Sequence, residues 1–400
     1  MSAAIMERAG AVMANTYKRQ PLVITRGQGW QVWDDAGRCH ADFVAGIAVC
    51  NLGHSHPALA RVVAAQAATL WHVSNLYYTV PQIELAEWLT GHSFADKAFF
   101  CNSGAEANEA AIKIARKFFK DNGQPGRYGI IAMERSFHGR TMATLSATGQ
   151  DKVRKGFDPV LEGFSFVPFN DAKALAETIG PDTCAVLMEP IQGEGGVRCP
   201  DPDYLAKVRE LCDRTGTLLI FDEIQTGIGR TGTLFAHEHF NVTPDIMTLA
   251  KALANGLPIG AMLATDRVAT AFGPGAHATT FGGTPIVTAT ALEVLKILTE
   301  GGAMDQGRET GVYFKKALMA LKAKHRCILD VRGLGLLLGV KLAGDAAPVV
   351  DACRAKGFLI NAVQDKILRF APPLIIPARA IDDLIACLDE ELEAIDKMCI

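Results

Sequence analysis

A chain of 400 residues exceeds the roughly 250–300 at which a single hydrophobic core stops growing, so one larger and one smaller domain are expected. Its composition, 49% hydrophobic and 21% charged, is that of an ordinary globular protein. A formal net charge of −3 gives no electrostatic footing for nucleic acid or an anionic membrane, and no apolar run reaches the roughly 18 residues of a bilayer span.

The N-terminal stretch MSAAIMERAGAVMANTYKRQP lacks the charged-then-apolar order of a secretory leader and reads as a short amphipathic helix. Two short strands are expected at Leu22–Thr25 and Gly29–Asp34, with a Gly/Asp turn at Asp34–Gly37. Further along, strands alternate with helices. Ala98–Cys101 runs into a helical pattern over Ala105–Lys120. Tyr128–Met133, Cys184–Glu189, Leu218–Asp222, Ile246–Leu249 and Ala261–Thr265 are short apolar runs of the kind buried on both faces of a sheet. Such alternation predicts an α/β fold, a mostly parallel sheet flanked by helices. After about Thr284 the texture changes to a long helix (Val287–Thr299), a helical stretch at Lys315–Lys324, and mixed elements up to Ile400. That reads as a smaller C-terminal domain joined by the N-terminal strands. The ten cysteines run from Cys39 to Cys399 without a CxxC pair, which suggests reduced, mostly buried thiols of a cytoplasmic protein rather than disulfides. His237-Glu238-His239 does not put both imidazoles on one helical face, so no metal is expected there.

Open parallel sheets bind ligands beyond the carboxyl ends of their strands, and the chemically suggestive residues sit at such ends. Asn102-Ser103-Gly104-Ala105 joins a strand to a helix start, where free amides and the dipole favour an anion. The same residues also read as a capping box, Ser103 with Glu106, and the two readings are compatible. Asp222 closes the apolar run LLIFD, where a buried carboxylate needs a cationic or protonated partner. That partner is either a neighbouring basic side chain or a pyridinium nitrogen. Lys251 follows DIMTLA and precedes a glycine-rich turn. It is either a solvated helix-opening lysine or a desolvated nucleophile. Together, a phosphate cradle, a buried carboxylate and a pocket lysine are the three fixed contacts that pyridoxal phosphate requires.

TYKRQPLVITRGQG, GIAVCNLGHSHP, NSGAEANEAAIKIAR, SFHGRT, MEPIQGEGGV, LLIFDEIQTGIGRTG, LAKALANGLPIGA, TTFGGTP, VRGLGLLLGV and LRFAPPLII resemble, in order and spacing, the motifs of the class III (ornithine/acetylornithine-type) aminotransferases of fold type I. The resemblance implies a large domain over 46–286, a small domain from 1–45 and 287–400, and a homodimer with shared active sites. It implies that Lys251 bonds pyridoxal 5'-phosphate covalently and moves the substrate proton, and that Asp222 meets the ring nitrogen. Gln225 would bond the ring hydroxyl, Phe137 would stack on the ring, and His138 would lie against the cofactor. Ser103, Gly104 and Ala105 would hold the phosphate, with Thr280 supplied by the neighbouring subunit.

For substrates, the resemblance assigns carboxylate binding to Arg140 and Arg369, residues suited to bidentate pairing. Glu194 would neutralise Arg369 when no second carboxylate is present, and Tyr17 and Ile47 would line the substrate space. The aliphatic Ile47 and His138, where ornithine enzymes carry aromatic residues, point to N2-acetylornithine as donor and 2-oxoglutarate as acceptor, the reaction of arginine biosynthesis. Ornithine, succinylornithine, succinyldiaminopimelate and 4-aminobutyrate remain alternative donors. An aminomutase would not need Arg140, Arg369 and Glu194 together. A non-catalytic binding protein would not need Lys251, Asp222 and Gln225. A nicotinamide enzyme would need the GxGxxG helix start that the glycines around Glu194 do not form.

Overall fold

The computed structural model describes Ser2 to Met398; Cys399, counted above among the reduced thiols, lies outside the described residues. At the centre is a sheet of seven strands. Their spatial order is Lys97–Cys101, Gly260–Ala264, Ile246–Leu249, Leu218–Asp222, Thr183–Met188, Gly129–Met133 and Phe164–Val167. The five strands from Ile246–Leu249 to Phe164–Val167 run parallel. Gly260–Ala264 runs antiparallel to both its neighbours. The connection over 250–259 explains the reversal, because it is shorter than the roughly dozen residues that a parallel crossover needs.

Burial on both faces makes these strands continuous apolar runs. In LLIFD, Leu218 and Ile220 pack with Ala110, Ile114 and Phe118 of the helix Gly104–Asp121. Leu219 and Phe221, pointing the other way, pack with Leu205, Val208 and Leu211 of the helix Tyr204–Thr215. Period-two alternation thus serves two hydrophobic layers at once.

Two four-stranded sheets complete the fold. One contains Ile24–Gln28, Gln31–Asp34, Cys39–Asp42 and Phe358–Leu359, with Phe358 beside Ala41, so the two ends of the chain share a sheet. The other contains Ile328–Leu334, Leu337–Leu342, Ile367–Phe370 and Asn361–Val363. The first strand starts at Ile24 rather than Leu22, because pairing is set by the hairpin register Gly27↔Val32 and Gln28↔Gln31 around Gly29 at φ 56°. The expected turn at Asp34–Gly37 is closed by Gly37 N–H donating to Asp34 O at 3.0 Å. The N-terminal helix spans Ser2–Val12 and buries none of its residues. The expected helix at Lys315–Lys324 begins much earlier, at Ala303.

Candidate active site

The strand ends converge on one cavity of about 370 Å³. Ser103, Gly104, Ala105, Phe137, His138, Arg140, Glu194, Asp222, Gln225 and Lys251 all line it. Ten of the residues expected from sequence are therefore brought together. Tyr17, Ile47, Thr280 and Arg369 are not among the lining residues, although Arg369 lies directly behind the lining Glu194 and Gln225. Tyr17 borders a separate groove under the N-terminal helix. Ile47 is 43% exposed and stands on a turn in which Ala45, Gly46, Ile47 and Ala48 all have positive φ. Thr280 is exposed beside Phe281.

Lys251 follows the strand Ile246–Leu249 after Ala250 and begins a short 3-10 turn, with φ 45°. A non-glycine residue in this left-handed region costs about 1 kcal/mol or more. Removal from water holds its amine below the ordinary lysine value. Arg369 adds to that effect, while Glu194, Asp222 and Glu189 oppose it. A lowered lysine is a usable base and nucleophile near neutral pH.

Asp222 is 3% exposed and is held from several directions. Its Oδ2 accepts from Asn108 Nδ2 at 2.8 Å and lies 2.7 Å from His138 Nδ1, while Oδ1 accepts from the Ile224 amide at 3.1 Å. Thr248 Oγ1 in turn donates to Asn108 Oδ1 at 2.7 Å. The partners expected for the Asp222 carboxylate thus include a histidine and an amide, with no Lys or Arg directly paired among the described residues. His138 Nε2 is buried without a hydrogen-bond partner among the described residues.

At the helix start, Ser103 Oγ accepts from the Glu106 amide at 3.2 Å. The capping box is only half formed. Glu106 Oε2 takes the Asn102 amide at 2.5 Å instead of that of Ser103. Gly104 lets Ile224 pack close, because a Cβ would stand 2.7 Å from Ile224 Cδ1 and 2.9 Å from its Cγ2, and Ile224 would have to shift. Phe137 carries Arg140 over its ring, 5.6 Å from the centroid.

Glu194 and Arg369 form an ion pair through Oε1 and Nη1. Burial alone would raise the Glu194 carboxyl, but Arg369 and Lys251 outweigh it and hold it below the ordinary value. Gln225 lies between them, at 3.4 Å from each.

Sequence reasoning missed Asn108, Thr248 and Glu189. Glu189 follows the apolar run TCAVLM, the same signal that singled out Asp222. The register Met188↔Phe221 brings it beside Asp222. It accepts from the amides of Phe137 at 3.2 Å and Gly193 at 3.1 Å. Burial pushes its carboxyl up to about 7, with His138 opposing and Asp222 adding. Asn108 also left a trace, since asparagine is a poor residue for the middle of an apolar helix face.

The match to known proteins is close to full length. The family description Aminotransferase class-III fits residues 12–392. The chain belongs to the class III aminotransferases. Members of this class depend on pyridoxal phosphate. The chain is 48% identical over 384 residues to the acetylornithine aminotransferase of Caldanaerobacter subterraneus subsp. tengcongensis, covering 96% of this chain and 98% of that one. It is 50% identical over 383 residues to that of Methanocaldococcus jannaschii, covering 95% and 96%. Among solved structures, the ornithine aminotransferase of Toxoplasma gondii superposes with a TM-score of 0.96 at 32% identity, over 100% of this chain and 96% of that one. The N-acetylornithine aminotransferase of Stenotrophomonas maltophilia gives 0.84 at 38% identity, over 98% and 99%. This aminotransferase therefore has the fold type I architecture of its class.

Proposed function

We propose that the chain transfers the amino group of N2-acetylornithine to 2-oxoglutarate, giving N-acetylglutamate 5-semialdehyde and glutamate for arginine biosynthesis, with pyridoxal 5'-phosphate in the Lys251 cavity. The observation that carries this reading is 45–50% identity to acetylornithine aminotransferases over almost the whole chain, together with convergence of Lys251, Asp222 and the Ser103 helix start on one cavity. The cavity suits the cofactor. It offers a desolvated amine, a buried carboxylate fixed in place, a buried His138 nitrogen still lacking a partner, and an amide-rich helix start.

On this reading Asp222 meets the ring nitrogen, Gln225 the ring hydroxyl, Phe137 the ring face with His138 alongside, and Ser103, Gly104 and Ala105 the phosphate. When bound, the cofactor supplies a reactive aldehyde carbon and a ring that takes up the electron pair left by a departing substrate proton. Lys251 Nζ takes that proton from the substrate carbon and returns it on the cofactor side. Its lowered pKa shifts the amine toward the neutral form that this step uses. Asp222 holds a fixed negative charge, with Asn108 and His138 preventing its rotation. Arg140 and Arg369 bind substrate carboxylates. Glu194 covers Arg369 while a donor with one carboxylate is bound and yields it to a dicarboxylate, so one site accepts both partners of a two-step exchange.

We also read 46–286 as the large domain, with 1–45 and 287–400 forming the small one, which the pairing of Ala41 with Phe358 supports. A homodimer is supported by the exposed Trp71, Leu76, Tyr77, Tyr78 and Phe281, a large apolar surface for a lone chain. Thr280, next to Phe281, would then reach the phosphate of the second copy, and Tyr17 and Ile47 would border the substrate. None of the nine described cysteines is in a disulfide, the reduced state that a cytoplasmic setting maintains.

The test is the visible absorbance of the holoenzyme, titrated first with N2-acetylornithine and then with 2-oxoglutarate. The band should bleach with the first and return with the second. A kcat/KM for ornithine equal to that for acetylornithine would remove the donor assignment and leave the aminotransferase.

A further inference from the structure

The turn that carries Glu194 is fastened to the rest of the protein at three points by side chains that hold its backbone. Glu189 Oε1 accepts the Gly193 amide at 3.1 Å. Arg332 donates to Gly196 O from Nε at 2.9 Å and from Nη2 at 2.6 Å. Gln364 Nε2 donates to Glu194 O at 2.9 Å and to Gln150 Oε1 at 3.3 Å.

The third point has an unusual origin. Gln364 sits in the turn between the paired strands Asn361–Val363 and Ile367–Phe370, so the hairpin that supplies Arg369 to the Glu194 carboxylate also supplies Gln364 to the Glu194 carbonyl. Gln364 adopts φ 51° and its neighbour Asp365 φ 60°. Glycine or asparagine would fit that left-handed turn with less strain, so the backbone gives no reason for glutamine there. The reason lies in its amide. The ion pair itself is asymmetric: the Arg369 side chain is 2% exposed, whereas that of Glu194 is 29% exposed. Of the two, Glu194 is the one with room to move.

We infer that Gln364 is a positioning residue for substrate selection: it pins the backbone of the Glu194 turn, so that only the Glu194 side chain swings when a dicarboxylate claims Arg369 and it returns to the same place for a donor with one carboxylate. This rests on the two-partner reading above. Without the pin, Glu194 covers Arg369 less well. The donor step suffers and the dicarboxylate step does not.

The decisive variant is Gln364→Gly, because it relieves the left-handed backbone while removing the amide. It should unfold at the same temperature as wild type or higher and keep the cofactor absorbance. In single-turnover measurements on the holoenzyme, the apparent KM for acetylornithine should rise roughly three- to tenfold with little change in the limiting rate, and the 2-oxoglutarate step should be unchanged. Glutarate, an unreactive dicarboxylate, should bind as tightly as to wild type or more tightly by calorimetry. In a Glu194→Ala background, Gln364→Gly should add nothing. Gln364→Glu, similar in size but without donor N–H groups, should repeat the selective loss. Equal weakening of both steps and of glutarate, or additivity with Glu194→Ala, would overturn the inference. A wild-type enzyme that ignores acetylornithine removes the donor assigned above instead, and the Gln364 role is then read from ornithine against glutamate.

Discussion

The floor of the cavity and its mouth are built by opposite means. On the floor, Asp222, Asn108 and Thr248 are buried and linked in one hydrogen-bonded chain, and all three belong to the central sheet or the helix packed on it. At the mouth, Arg140 is exposed and the Glu194 side chain is partly so, with its partner Arg369 buried behind it. The contrast shows a division of labour. The Asp222 network is closed to solvent and leaves its members no freedom, whereas the Arg140 and Glu194 side chains are partly open to solvent, which suits them to the substrate-sorting role proposed above.

Breaking the floor should have the largest effects. On the proposed function, Lys251→Ala removes both the cofactor bond and the proton carrier, and loss of proton transfer alone should slow each half-reaction by roughly 10²–10⁴-fold. Single-turnover absorbance measures it, and residual rates near wild type would mean that another base serves the site. Asp222→Asn keeps the shape but not the charge, and a loss on the order of 10²–10³ in kcat is expected. Its circular dichroism should be unchanged, which separates the charge effect from misfolding.

Glu189 lies between the two regions, and its effect should be read in stability. Its carboxyl is raised by burial to about 7, so the folded state binds its proton more tightly than the unfolded chain does. The stabilisation is full below about pH 4.5 and is lost as pH rises through about 7, a change of about 3 kcal/mol. Glu189→Gln cannot titrate. Relative to wild type it should therefore gain stability between about pH 5 and pH 8 in urea unfolding. A difference that does not vary with pH would mean that Glu189 is ionised throughout.

The smallest effect belongs to the mouth. Ile47→Tyr should lower the ratio of kcat/KM for acetylornithine over ornithine by roughly tenfold, leaving the 2-oxoglutarate step alone. If the ratio holds, Ile47 does not border the acylated amine, and the exposed left-handed turn that carries it serves another purpose.

The sheet and the residues at its strand ends were legible in the sequence, because local physics sets both. Runs such as LLIFD and IMTL must be buried on two faces, and a charge that closes such a run must find a partner. Asp222 could be singled out on that ground, Lys251 as a lysine between a buried run and a glycine-rich turn, and Ser103 as the amide-rich start of a helix, before any fold was known. Roles for Phe137, Gln225, Arg140 and Arg369 came from resemblance alone, since an aromatic or basic residue in isolation says nothing about what it faces. Some features only the tertiary structure decided. It put Asn108 and Thr248 behind Asp222, set Glu189 beside Asp222 through strand register, and tied Gln364 to the backbone of Glu194. These are contacts between residues far apart in the chain. Each depends on which strand lies next to which, and hydrophobic periodicity carries no information about that.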